Sequence, residues 1–235
     1  MAIAPPSTRR LDIAVIGDLR LGADDAYAEQ WLDYLRDVEP ATLVLTGDVV
    51  EEAVVRAGRL RTVALRALLR LGDLAAGGTR VYILSDRPPT WLPSDGSLLH
   101  DNCAVRSELL LHQGGNKYYF GKAPAPARRR DRLRGLLRTR KTATPSESSP
   151  VRPGADRVDV GARLARERGC DTCVLVDGAS ALRAEVDGVR VVSPGSWSAR
   201  REALELRFGE WTLRTPELES SLLLRRIVAA GPTVH

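Results

Sequence analysis

Three aspartates follow apolar segments of the chain at the points where those segments end. Asp18 follows the segment 11–17, Asp48 follows 42–47 and Asp86 follows 80–85. Apolar runs of this length are typical of strands buried in a parallel sheet, and open α/β sheets place their chemistry at the carboxyl ends of such strands. Carboxylates are also the ligands that hard divalent cations prefer. The pattern therefore predicts an active-site rim that carries Asp18, Asp48 and Asp86.

The segments between these strands predict helices that place the strands side by side. Apolar residues recur at helical spacing from Asp24 to Asp37 and from Val54 to Leu74, and we predict one helix in each segment. A strand–helix–strand–helix–strand order predicts parallel pairing with right-handed crossovers. The first part of the chain is therefore expected to be α/β.

Turn residues divide the rest of the chain into shorter elements. Gly114-Gly115-Asn116, Asp187-Gly188 and Gly209 predict hairpin turns, and His112 beside the first turn is expected to be solvated. The strands expected around these turns and elsewhere are 103–111, 117–121, 173–176, the two halves of 184–192, 203–208 and 210–214. The helices expected in the same region are 158–168 and 216–230, and a tight loop is expected at 193–197.

Length, charge and cysteine content limit the classes of function. The chain has 235 residues, is 43% hydrophobic and carries a formal net charge of +5. No segment reaches the roughly 20 apolar residues of a membrane span, and Met1 to Arg10 lacks the apolar region of a signal peptide, so we expect a cytoplasmic protein. The three cysteines, an odd number, argue against a disulfide framework. Cys170 and Cys173 lack a second ligand pair for zinc and are expected to pack in the core.

The most basic stretch of the chain lies at 128–141, where Leu133, Leu136 and Leu137 recur at helical spacing. Its basic residues are Arg128, Arg129, Arg130, Arg132, Arg134, Arg138, Arg140 and Lys141. We predict a short basic amphipathic helix there, followed by a flexible linker at 142–154. Such a helix can bind an anionic membrane surface, a partner protein or nucleic acid, and the lack of interleaved aromatic residues disfavours single-stranded nucleic acid. The alternative is a solvated basic face that packs on the core through its leucines.

The order of the strand ends resembles that of the calcineurin-like metallophosphoesterases. Members carry Asp-x-His, Gly-Asp and Gly-Asn-His-Asp or Gly-Asn-Arg-Asp after three strands, followed by His-Gly, Gly-His-x-His and an Asn-Pro-Gly-Ser-type loop. The corresponding segments here are 18–22, 45–48, 85–88 and 193–197. The first of these, Asp-Leu-Arg-Leu-Gly, and the basic stretch are most similar to the UDP-2,3-diacylglucosamine diphosphatases. The resemblance implies one domain, 1–235, made of two packed mixed β-sheets flanked by helices, with a basic helical insertion at 122–157.

The resemblance also implies which metal ligands this chain keeps and which it lacks. Asp18 and Asp48 match ligands of the family, whereas Arg20 stands at a histidine position. Asp86 stands at an asparagine ligand, and Arg87 stands at the catalytic position, where some members carry arginine. The later histidine positions are occupied by residues without an imidazole, namely Gly121, Gly178 and Ser180.

The loss of these imidazoles argues against two-metal hydrolysis, because a dinuclear site needs them to complete the shells of both ions. We expect Arg20 to replace a metal by pairing with Asp18 and Asp48. The favoured hypothesis is therefore a catalytically inactive metallophosphoesterase-like protein without a cofactor. It would be retained to bind a protein partner or a lipid-like or phosphorylated ligand.

Two alternatives stay open. A single Mg²⁺ or Mn²⁺ on Asp18, Asp48 and Asp86 could support a phosphoesterase in which Arg87 stabilises phosphoryl charge. Its substrate would be UDP-diacylglucosamine-like or another phosphodiester or pyrophosphate. In the second alternative the basic stretch binds an anionic membrane or lipid, or, less favoured, nucleic acid. Peripheral association with the inner membrane would then be the location.

Overall fold

The computed structural model describes residues 8–86, 89, 92, 102–123, 155–177 and 180–215. Its strands are β1 (Arg9–Gly17), β2 (Val38–Thr46), β3 (Arg80–Leu84), β4 (Cys103–Arg106), β5 (Leu109–Gln113), β6 (Asn116–Gly121), β7 (Thr172–Leu175), β8 (Ala181–Val186), β9 (Val189–Pro194), β10 (Ala203–Arg207) and β11 (Glu210–Arg214). Its helices are α1 (Asp25–Asp37), α2 (Glu52–Arg56), α3 (Thr62–Ala76), α4 (Ala155–Glu167) and α5 (Trp197–Arg200).

These strands form two mixed sheets. The first has the order β11-β10-β1-β2-β3-β4, with parallel pairing from β1 to β4 and antiparallel pairing of β10 to β1 and to β11. The second has the order β5-β6-β7-β9-β8, in which β6, β7 and β9 are parallel. The parallel strands of each sheet end on a common edge, as the apolar runs of the sequence predict.

Three apolar clusters hold the layers together. Alternate residues of β1, among them Ile13 and Val15, pack between the two sheets against side chains such as Phe120 and Val174. The other face of the first sheet packs on α1 and α3, and the outer face of the second sheet packs on α4. Period-two alternation along each strand explains why one strand serves two clusters. The predicted α/β architecture of two packed mixed sheets flanked by helices is confirmed.

Two predicted elements are broken in the structure. The helix expected from Val54 to Leu74 is divided into α2 and α3, because Gly58 adopts a left-handed conformation (φ +64°) that ends the first helix. The strand expected at 103–111 is divided between the two sheets: β4 extends the first sheet, and β5 begins the second. His112 is exposed on β5, opposite Lys117, rather than in the turn itself.

Other predicted elements agree with the structure or lie outside it. The hairpin turns at Gly114-Gly115, Asp187-Gly188 and Phe208-Gly209 all have positive φ, as tight hairpins require. The segment expected as a loop at 193–197 instead continues β9 to Pro194 and begins α5 at Trp197. The basic helix at 128–141, the linker at 142–154 and the helix at 216–230 lie outside the described residues. Within the described ranges no helix has the length and hydropathy needed to cross a membrane.

The two sheets meet where β1 and β9 end. A Cβ placed on Gly17 would overlap the carbonyl oxygen of Gly195, so only glycine allows the two backbones to meet there. Just beyond, the Ser198 amide donates to the Asp18 carbonyl at 3.1 Å. This contact sets the relative position of the two strand edges that carry the predicted rim.

We predict that Gly17→Ala destabilises the protein by about 2–3 kcal/mol, because the added methyl must push the two strand ends apart. The matched control is Gly72→Ala, since a Cβ on that α3 glycine meets no atom within 4 Å. Alanine there is expected to be neutral or to stabilise by about 0.5–1 kcal/mol. Urea unfolding measures both. Equal stability of the two variants would contradict the role given to the Gly17–Gly195 contact.

Candidate functional site

Asp18 and Asp48 lie next to each other at the carboxyl edge of the first sheet. The loops that follow β1 and β2 run side by side, with backbone hydrogen bonds from Arg20 to Asp48 at 2.8 Å and from Leu21 to Val49 at 2.9 Å. The Asp48 amide also donates to Asp18 Oδ1 at 3.3 Å. The structure therefore brings together the first two predicted rim residues.

This approach requires unusual backbone geometry. Gly47 has φ +67°, and a Cβ there would overlap Asp18 Oδ1. Asp18 and Arg20 themselves have φ of 46° and 47°, the left-handed region that non-glycine residues seldom adopt. Such strain costs on the order of 1–3 kcal/mol per residue and is typical of functional loops. The loop is held in this form by its pairing with the loop after β2.

Arg20 does not form the predicted pair with Asp18 and Asp48. Its Nε and Nη2 both donate to Glu51 Oε2, at 3.1 and 2.6 Å. The pKa of the Arg20 guanidinium is raised mainly by this bond to Glu51, with smaller contributions from the charges of Asp48 and Asp18. The correction has a physical cause: the left-handed turn carries the guanidinium along the loop to a carboxylate that the sequence pattern did not single out. That Arg20 takes the place of a metal ion stays a prediction.

Asp86 is joined to the second sheet by a salt bridge. Lys122, which follows β6, places its Nζ 2.6 Å from Asp86 Oδ2. Neither side chain is buried, so the pair contributes little to stability, typically 0–1 kcal/mol. It nevertheless puts a positive charge between the strand ends of the two sheets, where the resemblance places metal ligands.

Gly121, predicted as a lost ligand position, faces away from this salt bridge. A Cβ on Gly121 would overlap the Tyr119 ring, which lies on the α4 side of the second sheet. Tyr118 and Phe120 point the other way, into the cluster between the sheets, and Lys122 continues their face. The geometry therefore favours Lys122 over Gly121 as the position from which a ligand would reach the rim.

The space beside Gly121 is occupied by a polar network. Tyr119 donates to Glu108 at 2.9 Å, and Arg168 donates to the same carboxylate at 2.8 Å while its guanidinium lies 4.2 Å from the Tyr119 ring centroid. Burial, followed by the bond to Glu108, raises the pKa of Tyr119 to about 12. The bond from Tyr119 is the main cause that lowers the pKa of Glu108. Sequence reasoning missed this network because its members lie on separate elements.

The end of β7 carries a third ion pair. Arg157, on α4, donates to Asp177 Oδ1 at 2.7 Å. Ser180, predicted as a lost ligand position, is exposed at the start of β8, and Gly178 lies outside the described residues. Arg87 and the basic residues 128–141 also lie outside them. Their predicted roles stay predictions.

The loop that follows β9 closes the rim beside Asp18. Trp197 is fully buried, donates from its Nε1 to the Tyr27 carbonyl at 3.1 Å and packs on the Tyr34 ring at a centroid distance of 5.6 Å. Trp197 therefore anchors the segment 193–197 on the α1 side of the first sheet. Its role is packing.

The donor set of the described rim residues does not fit a two-metal centre. Asp86 is neutralised by Lys122, and Arg20 lies within electrostatic range of both Asp18 and Asp48. Among the residues that the structure describes, no group of three or more His, Cys, Asp or Glu side chains could hold a metal ion. Two divalent ions need an anionic ligand set with imidazoles or further carboxylates, whereas three carboxylates of this rim, Glu51, Asp86 and Asp177, are already paired with cations.

Cys170 and Cys173 are free thiols packed beneath α4. Cys173 lies in the apolar cluster with Ala162 and Leu175. Burial raises the pKa of Cys173 to about 12 and that of Cys103 to about 11, and it also raises the pKa of Cys170. A raised pKa disfavours the thiolate, the form that binds zinc and reacts with electrophiles.

Comparison with known proteins supports the fold. No family model matches the chain, and no curated protein matches it in sequence. A solved structure described as a novel archaeal phosphodiesterase matches with a TM-score of 0.51 and 11% identity over 86% of this chain and 98% of its own. A hypothetical protein from Pyrococcus horikoshii OT3 matches with a TM-score of 0.50 and 13% identity over 93% and 94% of the two chains.

A further match is vacuolar protein sorting 29 from Cryptosporidium parvum, with a TM-score of 0.44 and 14% identity over 86% of this chain and 94% of its own. The fold assignment rests on the first two structures. The chain has the calcineurin-like metallophosphoesterase fold. At these identities the likeness concerns the fold and not the substrate.

We predict that Lys122→Met destabilises the protein by no more than about 1 kcal/mol, and that this loss shrinks at about 1 M salt, where charges are screened. Lys117→Met, a change of the same type on the exposed start of the same strand, is the control and is expected to change stability by less than about 0.5 kcal/mol. Urea unfolding at low and high salt gives both values. A loss that salt does not reduce would mean that the Lys122 stem, not its charge, matters.

We also predict that native Cys170 and Cys173 react with iodoacetamide at about pH 8 at least ~100-fold more slowly than after unfolding in urea, because burial and raised pKa values suppress the thiolate. Intact mass and peptide mapping follow the reaction. Native labelling at the unfolded rate, or a mass that indicates a disulfide or bound zinc, would contradict the packing role.

Proposed function

We propose that this chain is a catalytically inactive protein of metallophosphoesterase fold that acts by binding. The observation that carries the proposal is the Lys122–Asp86 salt bridge, at 2.6 Å, between the strand ends of the two sheets. It places a fixed cation where the resemblance requires a ligand for a divalent metal. Arg20 and Arg157 likewise occupy two further carboxylates of the same edge, Glu51 and Asp177.

Electrostatics supports the proposal. A divalent ion about 4 Å from one ammonium or guanidinium is repelled by on the order of 2 kcal/mol in water and 8 kcal/mol at the lower dielectric of a protein surface, and the carboxylate paired with that cation offsets part of this repulsion. Metal binding would have to displace Lys122 from Asp86 and overcome the field of Arg20. Imidazoles, which bind metals without adding charge, are missing at the positions where the family carries them.

The protein is therefore expected to need no metal cofactor and to have a protein or a lipid-like or phosphorylated molecule as its partner. We treat 1–235 as one domain, with 122–157 as an insertion. Through the basic residues of that insertion the protein could also bind an anionic surface. We propose a cytoplasmic location for such a protein, or peripheral association with a membrane if the insertion binds anionic lipid.

A single-metal phosphoesterase is the second candidate, and one observation favours it. Asp18 and Asp48 are adjacent, and within the described residues neither has a basic group within 4.0 Å of its carboxylate. The pair could hold one Mg²⁺ or Mn²⁺ with water completing the shell. The similarity of the Asp-Leu-Arg-Leu-Gly segment to UDP-2,3-diacylglucosamine diphosphatases would make a UDP-diacylglucosamine-like pyrophosphate the first substrate to test.

The deciding experiment measures manganese by mass spectrometry after equilibrium dialysis, together with hydrolysis of bis(p-nitrophenyl) phosphate. The native chain is expected to bind substoichiometric manganese and to show no turnover. Arg20→His with Lys122→His removes two cations and supplies two imidazoles, and this variant is expected to gain manganese binding. Arg20→Ala with Lys122→Ala removes the same charges without supplying ligands and is expected to gain less.

The same measurements can overturn the proposal. Stoichiometric manganese on the native chain, with turnover that Asp48→Asn abolishes, would establish the single-metal candidate instead. Turnover that Asp48→Asn leaves unchanged would contradict both the inactive protein and the single-metal phosphoesterase. Flotation of the native chain with anionic vesicles, at fixed salt, tests the membrane alternative separately.

A further inference from the structure

A groove between α1 and α3 combines a half-buried leucine and an exposed leucine with arginines on the outer surface of the first sheet's helical layer. It has a volume of about 320 Å³. We call it the α1–α3 groove and define it by its lining residues, which are Leu32, Arg36, Arg66, Leu69, Arg70 and Asp73. It lies on helices, whereas the rim lies at the strand ends.

The inner face of α3 packs in the core, whereas its outer face carries leucines that do not pack in the fold. Ala64, Ala67, Leu71, Leu74 and Ala75 are buried and pack α3 on the sheet and on α1. Leu65 and Leu69, one turn apart, point outward and are 47% and 70% exposed. A single exposed leucine is common on protein surfaces, but two at this spacing beside a groove form an apolar strip of the kind that packs on a partner helix.

The arginines of the groove retain unneutralised charge. Within the described part of the chain, no carboxylate lies within 4.0 Å of Arg66 or Arg70. Arg70 donates from Nη2 to the Leu35 carbonyl at 3.4 Å, which holds its guanidinium near the end of α1. Arg36 pairs with Asp33 on the same helix, and Asp73 is the acidic residue of the lining. The groove therefore offers apolar contact with a positive border.

We propose that the α1–α3 groove docks an acidic amphipathic helix of a partner protein. Leucine-sized side chains of that helix would pack on Leu32 and Leu69, and its carboxylates would pair with Arg66 and Arg70. Buried apolar contact supplies affinity in such helix-in-groove interfaces, while the flanking charge pairs select the partner and its orientation. The inference goes beyond the proposed function because it uses no residue of the rim.

Other occupants fit the surface less well. In a symmetric dimer through this groove, the arginines of one copy would face those of the other, which costs energy rather than stabilising the contact. An anionic membrane would attract the arginines, but membrane-surface helices present a broad apolar face, whereas the apolar face of α3 is turned into the core. A concave groove suits a helix.

The test uses a labelled synthetic helix of about 18 residues, roughly five turns, with leucines at positions i, i+3, i+4 and i+7 and glutamates elsewhere. A second peptide has lysine in place of every glutamate. Fluorescence anisotropy measures binding to the full chain at about 50 and about 300 mM salt. We expect the acidic peptide to bind, more weakly at high salt, and the basic peptide to bind at least about tenfold more weakly.

Three variants assign the binding to the groove. Arg66→Glu with Arg70→Glu is expected to weaken the acidic peptide at least about tenfold and to improve binding of the basic peptide, because the charge preference is reversed. Leu69→Ala is expected to weaken the acidic peptide several-fold, since it removes an exposed anchor without opening the core. Arg163→Glu with Arg166→Glu, on α4 of the second sheet, makes the same charge change elsewhere and is expected to leave binding within about twofold.

The proposal is overturned if the acidic peptide does not bind, or if the Arg66 and Arg70 variant binds it as tightly as the native chain. The second result would assign the peptide to the basic residues 128–141. It is also overturned if sedimentation shows self-association that the Leu69 variant abolishes. A third contradicting result is that anionic vesicles bind the native chain but not the Arg66 and Arg70 variant, while the peptide binds both equally. Metal content and turnover are unaffected by these outcomes, so the proposed function stands or falls separately.

Discussion

The arrangement of this protein depends on one backbone contact, between Gly17 at the end of β1 and Gly195 after β9. Because Gly17 carries no side chain, the end of β1 can meet the Gly195 carbonyl, and the edges of two sheets that share no hydrogen-bonded strand become one rim. Asp18, directly after Gly17, accepts from Ser198 across the junction. Asp48, Asp86 and Lys122 lie where they do because this junction fixes the edges relative to each other.

The chemistry of the rim follows from which charges meet there. Carboxylates that meet at a strand edge repel one another, and nearby cations offset that repulsion. In this chain the side chains themselves provide them: Lys122 for Asp86, Arg157 for Asp177 and Arg20 for Glu51. Such exposed pairs add little to stability, so their consequence is electrostatic: they lower the affinity of the edge for another cation.

The sequence predicted the architecture of the fold better than the boundaries of its helices and strands. Apolar runs followed by aspartates identified β1, β2 and β3, because a buried parallel strand must be apolar on both faces. The single helix predicted over Val54–Leu74 failed because its periodicity continues through Gly58, whose left-handed conformation breaks the helix. The strand predicted at 103–111 failed because alternation along a chain does not reveal that consecutive halves join different sheets.

The sequence by itself determined that Asp18, Asp48 and Asp86 end neighbouring strands and that no segment that resembles a ligand motif carries a histidine. Only the tertiary structure decided the partners of these residues. Arg20 and Asp18 are two positions apart in sequence, but the left-handed conformations of both residues direct Arg20 to Glu51. Lys122, not Gly121, reaches the rim, because adjacent residues of a strand point to opposite faces and a shift of one residue changes the face. The sequence pattern therefore gives the position of a residue along its strand. The face on which its side chain lies, and the partner it contacts, depend on the elements that fold against that strand.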